Sequence, residues 1–542
     1  MMLTKTRARR FLCLLASALL TGLTLVFPEV GFLEWLTMIP VGIFLLEFAS
    51  DPQARLGGLY GYGLFFFWSF YLVVFHWFIN LYPLSFIDGM TRGGALSVVL
   101  VAWLGLSLLQ ALMGAVVFVV AGLLLRTRLM ARFPMARPFA LAGLWAFYEW
   151  TQTLGWWGVP WGRLPIGQSS YLVGLQTASW FGSYFITFLL VAVNFCLALA
   201  LCEWLKQPQK TWRGVCRVAS ICAVALVLFQ YGAGTVLWLT KPAADRTIRV
   251  AAIQGNISSH EKWSAESTQK TKEVYRDYTL KAAEAGADVV VWPETALPYV
   301  VDEDTAYVVD LAKRAGVTIL VGAFTVDEEG QYNSIACFLP DGSMHETVYA
   351  KRRLVPFGEF VPMRGLIETL IPPLADLVMS GEDVAWGEGA NVFDLEQGSI
   401  GSLICFDSIY DDLTRESVRD GAELICLSTN DSWFTDSAAL YMHNAQAQLR
   451  AIESGRYVVR AANTGISTVL SDRGEILCDL EPLVDGMLVE DVALREDSTL
   501  YTWIGNLPVY LCGLALLTVI AEDMIRRIRH RVGRRARNLD RD

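Results

Sequence analysis

The clearest candidate for chemistry is a cysteine at the end of an apolar run. Residues 401–410 read GSLICFDSIY, in which small and apolar residues lead to Cys405 and the chain becomes polar at Asp407. The next segment, DDLTRESVRD, is charged and helix-like. A cysteine between a strand and a helix is either packed in a core, which is the commoner use of free cysteine, or a nucleophile at a sharp turn.

Two further candidates stand near apolar runs. Glu294 closes VVVWPE (289–294) and has proline on both sides, although a solvated loop glutamate is the commoner situation. Lys351 lies in YAKRRLVPFGEFVP (349–362), where three consecutive basic residues are typical of a solvated face. The PFGEFVP that follows is apolar, so Glu359 within it needs a cation or a polar site.

A carboxylate, a lysine and a cysteine are a sufficient set for nucleophilic catalysis. The Lys351 ammonium would favour the thiolate and stabilise an oxyanion, and Glu294 would take and return the proton of Cys405. Histidine is the usual base for a thiol, and the one histidine with a suitable context near these strands is His443, inside a predicted helix. The sequence therefore leaves both a carboxylate and a histidine open as the base.

The residues that must position these side chains form short apolar strands that alternate with helices. Helical patterns cover 270–285 and 438–454. Such alternation is typical of a layered α/β domain. The predicted strands, rich in Val and Ile, are TIRVAAIQ (247–254), DVVVWPE (288–294), VTILVGAF (317–324), GSLICF (401–406), ELICLSTN (423–430) and RYVVRAAN (456–463).

Long apolar runs dominate the rest of the 542-residue chain. Hydrophobic residues make up 54% of the sequence and charged residues only 18%, whereas soluble domains carry about 25% charged residues. A helix that crosses a bilayer needs about 20 apolar residues. Runs of this kind are found at 11–28, 33–50, 57–80, 95–125, 138–158, 171–203, 217–239 and 503–522.

Basic residues in the connections predict the orientation of these spans. Lysine and arginine cluster at the N-terminus, after the fourth and sixth spans, and after residue 522. With seven spans before residue 240 and one after residue 500, all these segments fall on the cytoplasmic side. The predicted domains are a transmembrane domain of about seven helices (1–243), an exterior α/β domain (244–500), and a last transmembrane helix with a basic cytoplasmic tail (501–542).

Composition argues against other classes of function. The formal net charge of −10 disfavours a nucleic-acid-binding protein, which normally has a basic face. The chain has ten cysteines and five histidines, but no CxxC pair and no Cys/His cluster of zinc spacing. We therefore predict no nucleic acid partner, no metal site and no cofactor.

Motifs in the predicted α/β domain resemble those of the nitrilase superfamily: WPET (292–295), Tyr-x-Lys followed by PFGE (349–359), and the cysteine after an apolar strand. The whole chain more narrowly resembles the apolipoprotein N-acyltransferase family. This resemblance implies an α-helical multi-span membrane domain plus an exterior nitrilase-like α-β-β-α sandwich. The matching stretches are QGNI (254–257), KW (262–263), LVPFGEFVP (354–362), STNDSWF (428–434), GRYVVRAANTGIS (455–467) and, in the membrane part, VPWGRLPIGQSS (159–170).

The resemblance also implies catalytic roles for individual residues. Glu294 would be the general base, and Cys405 would form a thioester. Lys351 would hold the oxyanion together with backbone N–H groups near the cysteine. Glu359 would be a second carboxylate that orders Lys351 or the base.

Three supporting positions follow from the same resemblance. Trp263 would lie on a mobile loop near the lipid entrance. The tyrosine and glutamate that commonly follow the cysteine in the family are replaced here by Phe406 and Asp407. A tyrosine hydroxyl is therefore not required at this position, and we expect Asp407 to keep the supporting role of the glutamate.

The implied reaction is acyl transfer between membrane-lodged substrates. A phospholipid would acylate Cys405, and the α-amino group of the S-diacylglyceryl cysteine of an apolipoprotein would then accept the chain. The expected location is the bacterial inner membrane, with the α/β domain on the periplasmic side, and the expected state is a monomer. The insert 360–379 is predicted to be a lid or arm at the bilayer surface, with a core-packing loop as the alternative.

Two other functions stay open at this point. A membrane-anchored amidase or nitrilase would use water in place of the amine, although one anchor would be enough for such a hydrolase. A transporter or scaffold would only bind with its outer domain. The presence of Glu294, Lys351 and Cys405 together argues against that second alternative.

Overall fold

Long apolar helices and short apolar strands separate into two units of the chain. The computed structural model describes residues 4, 6–51, 54–84, 90–206, 214–257, 265–370 and 383–539. The helical unit comprises Met1–His76, Val101–Leu239 and Asn506–Asp542, and the α/β unit comprises Trp77–Leu100 and Thr240–Gly505.

The apolar runs form most of the helices. Seven helical segments of the described residues are long and apolar enough to cross a membrane: Arg7–Val26, Pro28–Ala49, Gly57–Val74, Arg92–Leu125, Ser183–Lys206, Val215–Thr240 and Leu507–Val532. The second of these contains the helices Glu34–Thr37 and Ile39–Ser50, and the last belongs to the helix Leu507–Leu539. The other α-helices in this part of the chain are Arg128–Arg132, Ala136–Thr151, Leu172–Leu175 and Ala178–Phe181.

Two predicted spans differ from the observed helices. The run 138–158 contains the helix Ala136–Thr151, whose 16 residues extend only about 24 Å at ~1.5 Å per residue. This helix stops before a turn at Gly155, where φ is +66°. The run 171–203 is interrupted at Gly182, where φ is +77°, so the long helix begins one residue later. Glycine adopts these left-handed conformations easily, and hydropathy alone does not reveal such breaks.

Basic segments of the helical unit meet at one end. The Arg126 side chain donates to the backbone carbonyl of Ala54 (2.7 Å), and the backbone N–H of Arg128 donates to the Asp523 carboxylate (3.2 Å). The Arg527 side chain donates to the backbone carbonyl of Arg126 (3.1 Å). The connections after the second and fourth spans therefore lie beside the basic C-terminal segment.

The α/β unit is built on two β-sheets. Its strands are β1 (Arg246–Gln254), β2 (Val289–Val291), β3 (Leu297–Val300), β4 (Thr318–Val326), β5 (Gln331–Phe338), β6 (Met344–Ala350), β7 (Phe393–Leu395), β8 (Gly398–Ile404), β9 (Leu424–Thr429), β10 (Val458–Ala462), β11 (Thr468–Leu470), β12 (Ile476–Asp479) and β13 (Gly486–Leu494). Within the described residues the first sheet has the order β13-β1-β2-β4-β5-β6, with β3 paired to β4. The second has the order β12-β11-β10-β9-β8-β7.

Each sheet has a parallel centre and antiparallel edges. Strands β1, β2 and β4 are parallel, as are β8, β9 and β10. These central strands are continuous apolar runs because both of their faces are covered. Since the carboxyl ends of parallel strands meet at one edge, Cys405 after β8 lies near Asn430 after β9.

Two apolar cores separate the layers of this unit. One lies between the sheets and includes Val250 of the first sheet and Ile404 of the second. The other lies between the first sheet and its covering helices and includes Tyr275 and Leu311. The covering helices are Ala265–Glu284 and Val301–Ala315 on the first sheet and Asp411–Arg419 and Ala438–Ser454 on the second, and the short helices are Arg364–Leu370 and Leu500–Ile504. This layering confirms the predicted α-β-β-α sandwich.

Candidate active site

Cys405 occupies a strained turn between a strand and a helix. Strand β8 ends at Ile404, and Cys405–Ile409 form a 3₁₀ helix. Cys405 has φ +49°, a left-handed conformation that costs a non-glycine residue about 1–3 kcal/mol. The residue is partly exposed, whereas Cys337 and Cys426 are buried in the core between the sheets. A strained backbone at a residue that is not fully buried fits a nucleophile, and a core residue needs neither property.

Glu294 and Lys351 form a buried ion pair. Glu294 lies shortly after β2, and Lys351 directly follows β6. Lys351 Nζ donates to Glu294 Oε1 at 2.8 Å, and the two side chains are only 2% and 7% exposed. Glu294 Oε2 accepts from the backbone N–H of Asn430 at 2.9 Å. Because Asn430 follows β9 and β9 neighbours β8, this bond brings the ion pair to the sheet edge that carries Cys405.

A second carboxylate and an asparagine complete the network. Lys351 Nζ also donates to Glu359 Oε1 at 2.9 Å. Asn333 Nδ2 donates to both carboxylates, at 2.7 Å to Glu294 and 2.9 Å to Glu359. The lysine is therefore held between two carboxylates that share one amide donor. The sequence interpretation missed Asn333; its signal is a polar residue inside the strand QYNSIACF, because a buried amide needs partners.

These charges act on the thiol. Burial raises the pKa of Cys405, Glu294 raises it further, and Lys351 opposes both. Burial also opposes the charged form of Lys351, but Glu294 and Glu359 outweigh it and hold the pKa of Lys351 well above its usual value. The resting site therefore contains a neutral thiol beside a charged lysine. A base must therefore remove the thiol proton, and Glu294 is a carboxylate whose charge acts on this thiol.

Asp407 connects the turn of Cys405 to the segment of Lys351. Its buried carboxylate accepts hydrogen bonds from the backbone N–H groups of Ile404 (3.1 Å) and Arg353 (2.8 Å) and from the hydroxyl of Tyr349 (2.8 Å). Burial raises the pKa of Asp407 to about 6, although Lys351 and these hydrogen bonds act in the opposite direction. Asp407 therefore connects the strand that ends in the cysteine to the segments on both sides of the lysine, through the Tyr349 side chain and the Arg353 backbone.

The remaining predicted positions contribute less to the described geometry. Phe406 is half-buried and packs edge-on against Tyr410, with 5.6 Å between ring centroids. Trp263 lies outside the described residues. Of the insert 360–379, the part up to residue 370 is described and ends in a short helix, and the rest lies outside the described residues.

His443, the alternative base, is directed at the backbone of the cysteine. Its Nε2 lies 3.2 Å from the backbone carbonyl oxygen of Cys405. Its Nδ1 lies 3.0 Å from Oδ1 of Asp431. Ser408 Oγ also lies 3.0 Å from Nε2, and Arg460 Nη2 lies 3.2 Å from Nδ1. Both ring nitrogens are thus engaged by neighbouring groups, and this geometry favours Glu294 as the base.

The arrangement can support acyl transfer through a covalent intermediate. In such a reaction Cys405 would supply the nucleophile, Glu294 would accept its proton, and Lys351 would supply a fixed positive charge for an oxyanion. Such a site accepts an acyl group from one molecule and passes it to a second, because the thioester separates the two steps.

Two sequence families match the chain. Residues 249–497 match the Carbon-nitrogen hydrolase family, and residues 17–196 match the Apolipoprotein N-acyltransferase N-terminal domain. The first range covers the whole of the site described above. The second covers most of the apolar segments before residue 200.

Full-length relatives show the same combination. An apolipoprotein N-acyltransferase of Gloeobacter violaceus is 32% identical over 510 residues, which cover 92% of each chain. Another, from Geobacter metallireducens, is 31% identical over 393 residues, 70% of this chain and 73% of the relative. Among solved structures, an amidase from Nesterenkonia sp. is 18% identical with a TM-score of 0.37, covering 50% of this chain and 97% of the amidase.

Proposed function

This chain belongs to the apolipoprotein N-acyltransferase family, which N-acylates lipoproteins, and we propose that it does so through a thioester on Cys405. The observation that carries this mechanism is the network in which Lys351 joins Glu294 to Glu359, at the sheet edge where Cys405 occupies a strained turn. The acyl donor is a phospholipid. The acceptor is the α-amino group of the S-diacylglyceryl cysteine of an apolipoprotein.

In the first half-reaction, Glu294 takes the proton of Cys405 as Sγ attacks the carbonyl carbon of the phospholipid ester. A C–S bond forms, and the carbonyl oxygen becomes an oxyanion that Lys351 Nζ and the N–H of Phe406 stabilise. The C–O ester bond then breaks. The proton held by Glu294 passes to the departing lysophospholipid oxygen.

In the second half-reaction, the neutral amine of the lipoprotein attacks the thioester carbon. Glu294 takes the amine proton, a C–N bond forms, and the same donors stabilise the oxyanion. The C–S bond breaks, and the proton returns to the sulfur of Cys405. Glu294 is a suitable shuttle because each step needs a base first and an acid second.

Glu359 has a specific use in this scheme. Lys351 must stay charged at the moment when Glu294 holds the proton, since the oxyanion forms at that moment. The second carboxylate, at 2.9 Å from Nζ, still pairs with the ammonium in that state. Lys351 can therefore stay charged and stabilise the oxyanion while Glu294 is protonated.

We propose further that the helical unit crosses the bacterial inner membrane and that the α/β unit faces the periplasm. Support comes from the basic segments at one end of the helical unit, because basic loops face the cytoplasm. For all of them to do so, the 16-residue helix Ala136–Thr151 must also cross. A bilayer accommodates a short helix by local thinning.

Intact-protein mass spectrometry after mixing with phospholipid tests the mechanism. We expect the mass of one acyl chain on Cys405, and its loss when a diacylglyceryl lipopeptide with a free α-amino group is added. The lipopeptide should gain the same mass. Release of free fatty acid in place of lipopeptide acylation would identify a hydrolase, and acylation of a different residue would refute the assignment of Cys405.

A further inference from the structure

A buried polar cluster lies behind the cysteine, on the second sheet. It contains Asp431 after β9, His443 on the helix Ala438–Ser454, and Arg460 on β10, all at most 1% exposed. Ser408 of the 3₁₀ turn is also fully buried. The reaction scheme above uses none of these four side chains, yet burial of so many polar groups is costly unless each has a defined partner.

Hydrogen bonds from this cluster converge on one atom, the backbone carbonyl oxygen of Cys405. Ser408 Oγ donates to it at 2.8 Å, and His443 Nε2 lies 3.2 Å from it. A carbonyl oxygen only accepts hydrogen bonds. Ser408 Oγ also lies 3.0 Å from His443 Nε2, and because its own proton goes to the carbonyl, it accepts from Nε2. Both oxygens next to Nε2 are therefore acceptors, so Nε2 carries a proton and donates it to them.

The opposite side of the imidazole is held just as firmly. His443 Nδ1 lies 3.0 Å from Oδ1 of Asp431 and 3.2 Å from Nη2 of Arg460. Arg460 Nη2 also donates to Oδ2 of Asp431 at 2.6 Å. Although burial acts against it, Arg460 and His443 lower the pKa of Asp431, so this carboxylate stays ionised. The ring is thus fixed between a charged pair and the cysteine backbone.

Fixing this carbonyl has a consequence on the other side of the peptide plane. The C=O of Cys405 and the N–H of Phe406 belong to one planar trans peptide group and point in opposite directions. Bonds that hold the oxygen on the side of His443 therefore also hold the Phe406 N–H on the other side. Without them, the left-handed conformation of Cys405, at φ +49°, would be free to relax.

We propose that His443 is a positioning residue that fixes the Cys405–Phe406 peptide plane and so aims the Phe406 N–H at the oxyanion. Asp431 and Arg460 hold the ring, and Ser408 supplies the second donor to the same carbonyl. The inference rests on the proposed thioester mechanism, because it assigns the Phe406 N–H to the oxyanion of that reaction.

The test compares two replacements that differ in one hydrogen-bond donor. His443→Gln keeps an amide N–H at about the reach of Nε2, and His443→Leu removes it, while both lose the Nδ1 bond to Asp431. We expect His443→Leu to form the acyl-enzyme at least about tenfold more slowly than His443→Gln at saturating phospholipid, with KM for the phospholipid unchanged. The control His345→Leu, on β6, should behave as wild type.

A purely structural role would give a different pattern. Equal rates for the Gln and Leu variants, or losses that follow their thermal stability, would overturn the proposal. If the Leu variant does not fold, Ser408→Ala removes the other side-chain donor to the same carbonyl and leaves Asp431 untouched. It should also lower the rate of acyl-enzyme formation without raising KM, and a wild-type rate would again count against the proposal.

The same set of variants tests the positioning role of His443 separately from the thioester mechanism. Cys405→Ala is measured alongside as the test of the nucleophile. Acyl transfer by Cys405→Ala would refute the thioester mechanism itself. Loss in Cys405→Ala with a normal His443→Leu would refute only the positioning role.

Discussion

The two units of this protein each bury a glutamate near a cation, with different consequences. In the helical unit, Glu149 is 2% exposed and interacts electrostatically with the buried Arg163. It accepts from the backbone N–H of Leu164 (3.1 Å) and the hydroxyl of Thr187 (2.5 Å). In the α/β unit, Glu294 is 6% exposed and accepts from Asn333, Lys351 and Asn430. Each carboxylate therefore accepts hydrogen bonds from at least two groups of the protein.

The two carboxylates differ in the kind of group that donates hydrogen bonds to them. Leu164 and Thr187 are parts of two chain segments that Glu149 joins, so this carboxylate fastens the helical unit. Lys351 is shared between Glu294 and Glu359, and its charge acts on the thiol of Cys405. In our proposal, burial and a nearby cation do not by themselves identify a catalytic carboxylate. The proposed mark of one is a cation shared with a second acid near a nucleophile, and variants can separate these two situations.

The largest effect is expected for Cys405→Ala, which removes the nucleophile. Transfer to lipopeptide and the acyl-enzyme mass should both be lost, while thermal unfolding in detergent stays close to wild type because the side chain is partly exposed. Cys426→Ala is the matched control on the neighbouring strand. It should stay active and lose about 1 kcal/mol or more of stability, because a buried core group is removed. Transfer by Cys405→Ala at the wild-type rate would refute the thioester mechanism.

Glu294→Gln and Glu149→Gln test the comparison directly. Glu294→Gln keeps the shape but no longer takes a proton, so acyl-enzyme formation should fall by about 10²–10⁴-fold with the fold retained. Glu149→Gln should lower thermal stability and leave the rate per folded molecule near wild type. Both quantities come from single-turnover mass spectrometry and a thermal melt. The comparison fails if Glu149→Gln slows the chemistry as much as Glu294→Gln does.

Lys351→Met should slow both half-reactions by about 10²–10³-fold, as loss of one oxyanion donor typically does. It should also destabilise the unit by roughly 3–5 kcal/mol, because Glu294 and Glu359 lose their common cation in a buried site. Lys351→Arg should restore stability better than activity, since a planar guanidinium does not replace a compact ammonium. Full activity of the Arg variant would show that only the charge is required.

Two residues of the candidate site follow apolar strands that the sequence predicts: Glu294 lies shortly after β2, and Cys405 directly follows β8. Lys351 follows β6, an unpredicted strand of mixed polarity, and its selection came from the family motif. The six predicted strands correspond to β1, β2, β4, β8, β9 and β10 and are confirmed. Their continuous apolar character reflects burial on both faces, which is a local property of the sequence.

Other features depend on contacts that no local pattern reveals. Asn333 binds carboxylates 39 and 26 positions away, and Arg460 reaches Asp431 across 29 positions. The edge strands are short or mixed in polarity, so their periodicity is weak. Helices end or are interrupted at Gly155 and Gly182 because these glycines have a positive φ. A hydropathy average contains no information on φ, so it does not predict these breaks.

A pH-dependent effect is expected from Asp407. Its pKa is about 6 in the folded protein instead of 3.8, so the folded state binds this proton more tightly than the unfolded chain. Its contribution to stability is therefore fully present below pH 3.8 and is lost as the pH rises through about 6. The loss is at most on the order of 3 kcal/mol, at about 1.4 kcal/mol per pKa unit.

Thermal unfolding of wild type and Asp407→Asn at several pH values measures this contribution, because all other titrating groups are common to both proteins. The Tm of wild type relative to the variant should fall between pH 4 and pH 7. A difference in Tm that stays constant over this range would show that Asp407 titrates at its ordinary pKa in the folded protein.

The smallest effect is expected for Asn333→Ala, and it refines the comparison of the two glutamates. Asn333 Nδ2 donates to both carboxylates of the network, but Glu294 keeps Lys351 and the N–H of Asn430. The rate of acyl-enzyme formation should therefore fall only about tenfold, equivalent to ~1.4 kcal/mol, which is the lower limit of what a hydrogen bond to a charged group typically contributes. Tyr332→Phe, on the same strand, should have no effect on the rate.

Asn333→Asp should be worse than Asn333→Ala although it is nearly isosteric, because it adds a third carboxylate around one lysine and raises the proton affinity of the base. The counterpart in the helical unit is Thr187→Val, which removes a donor to Glu149 and should change stability without changing the rate. If Asn333→Ala lowered stability alone, as Thr187→Val is expected to do, the amide would be a structural bridge. Glu294 and Glu149 would then differ in their cations and not in their other donors.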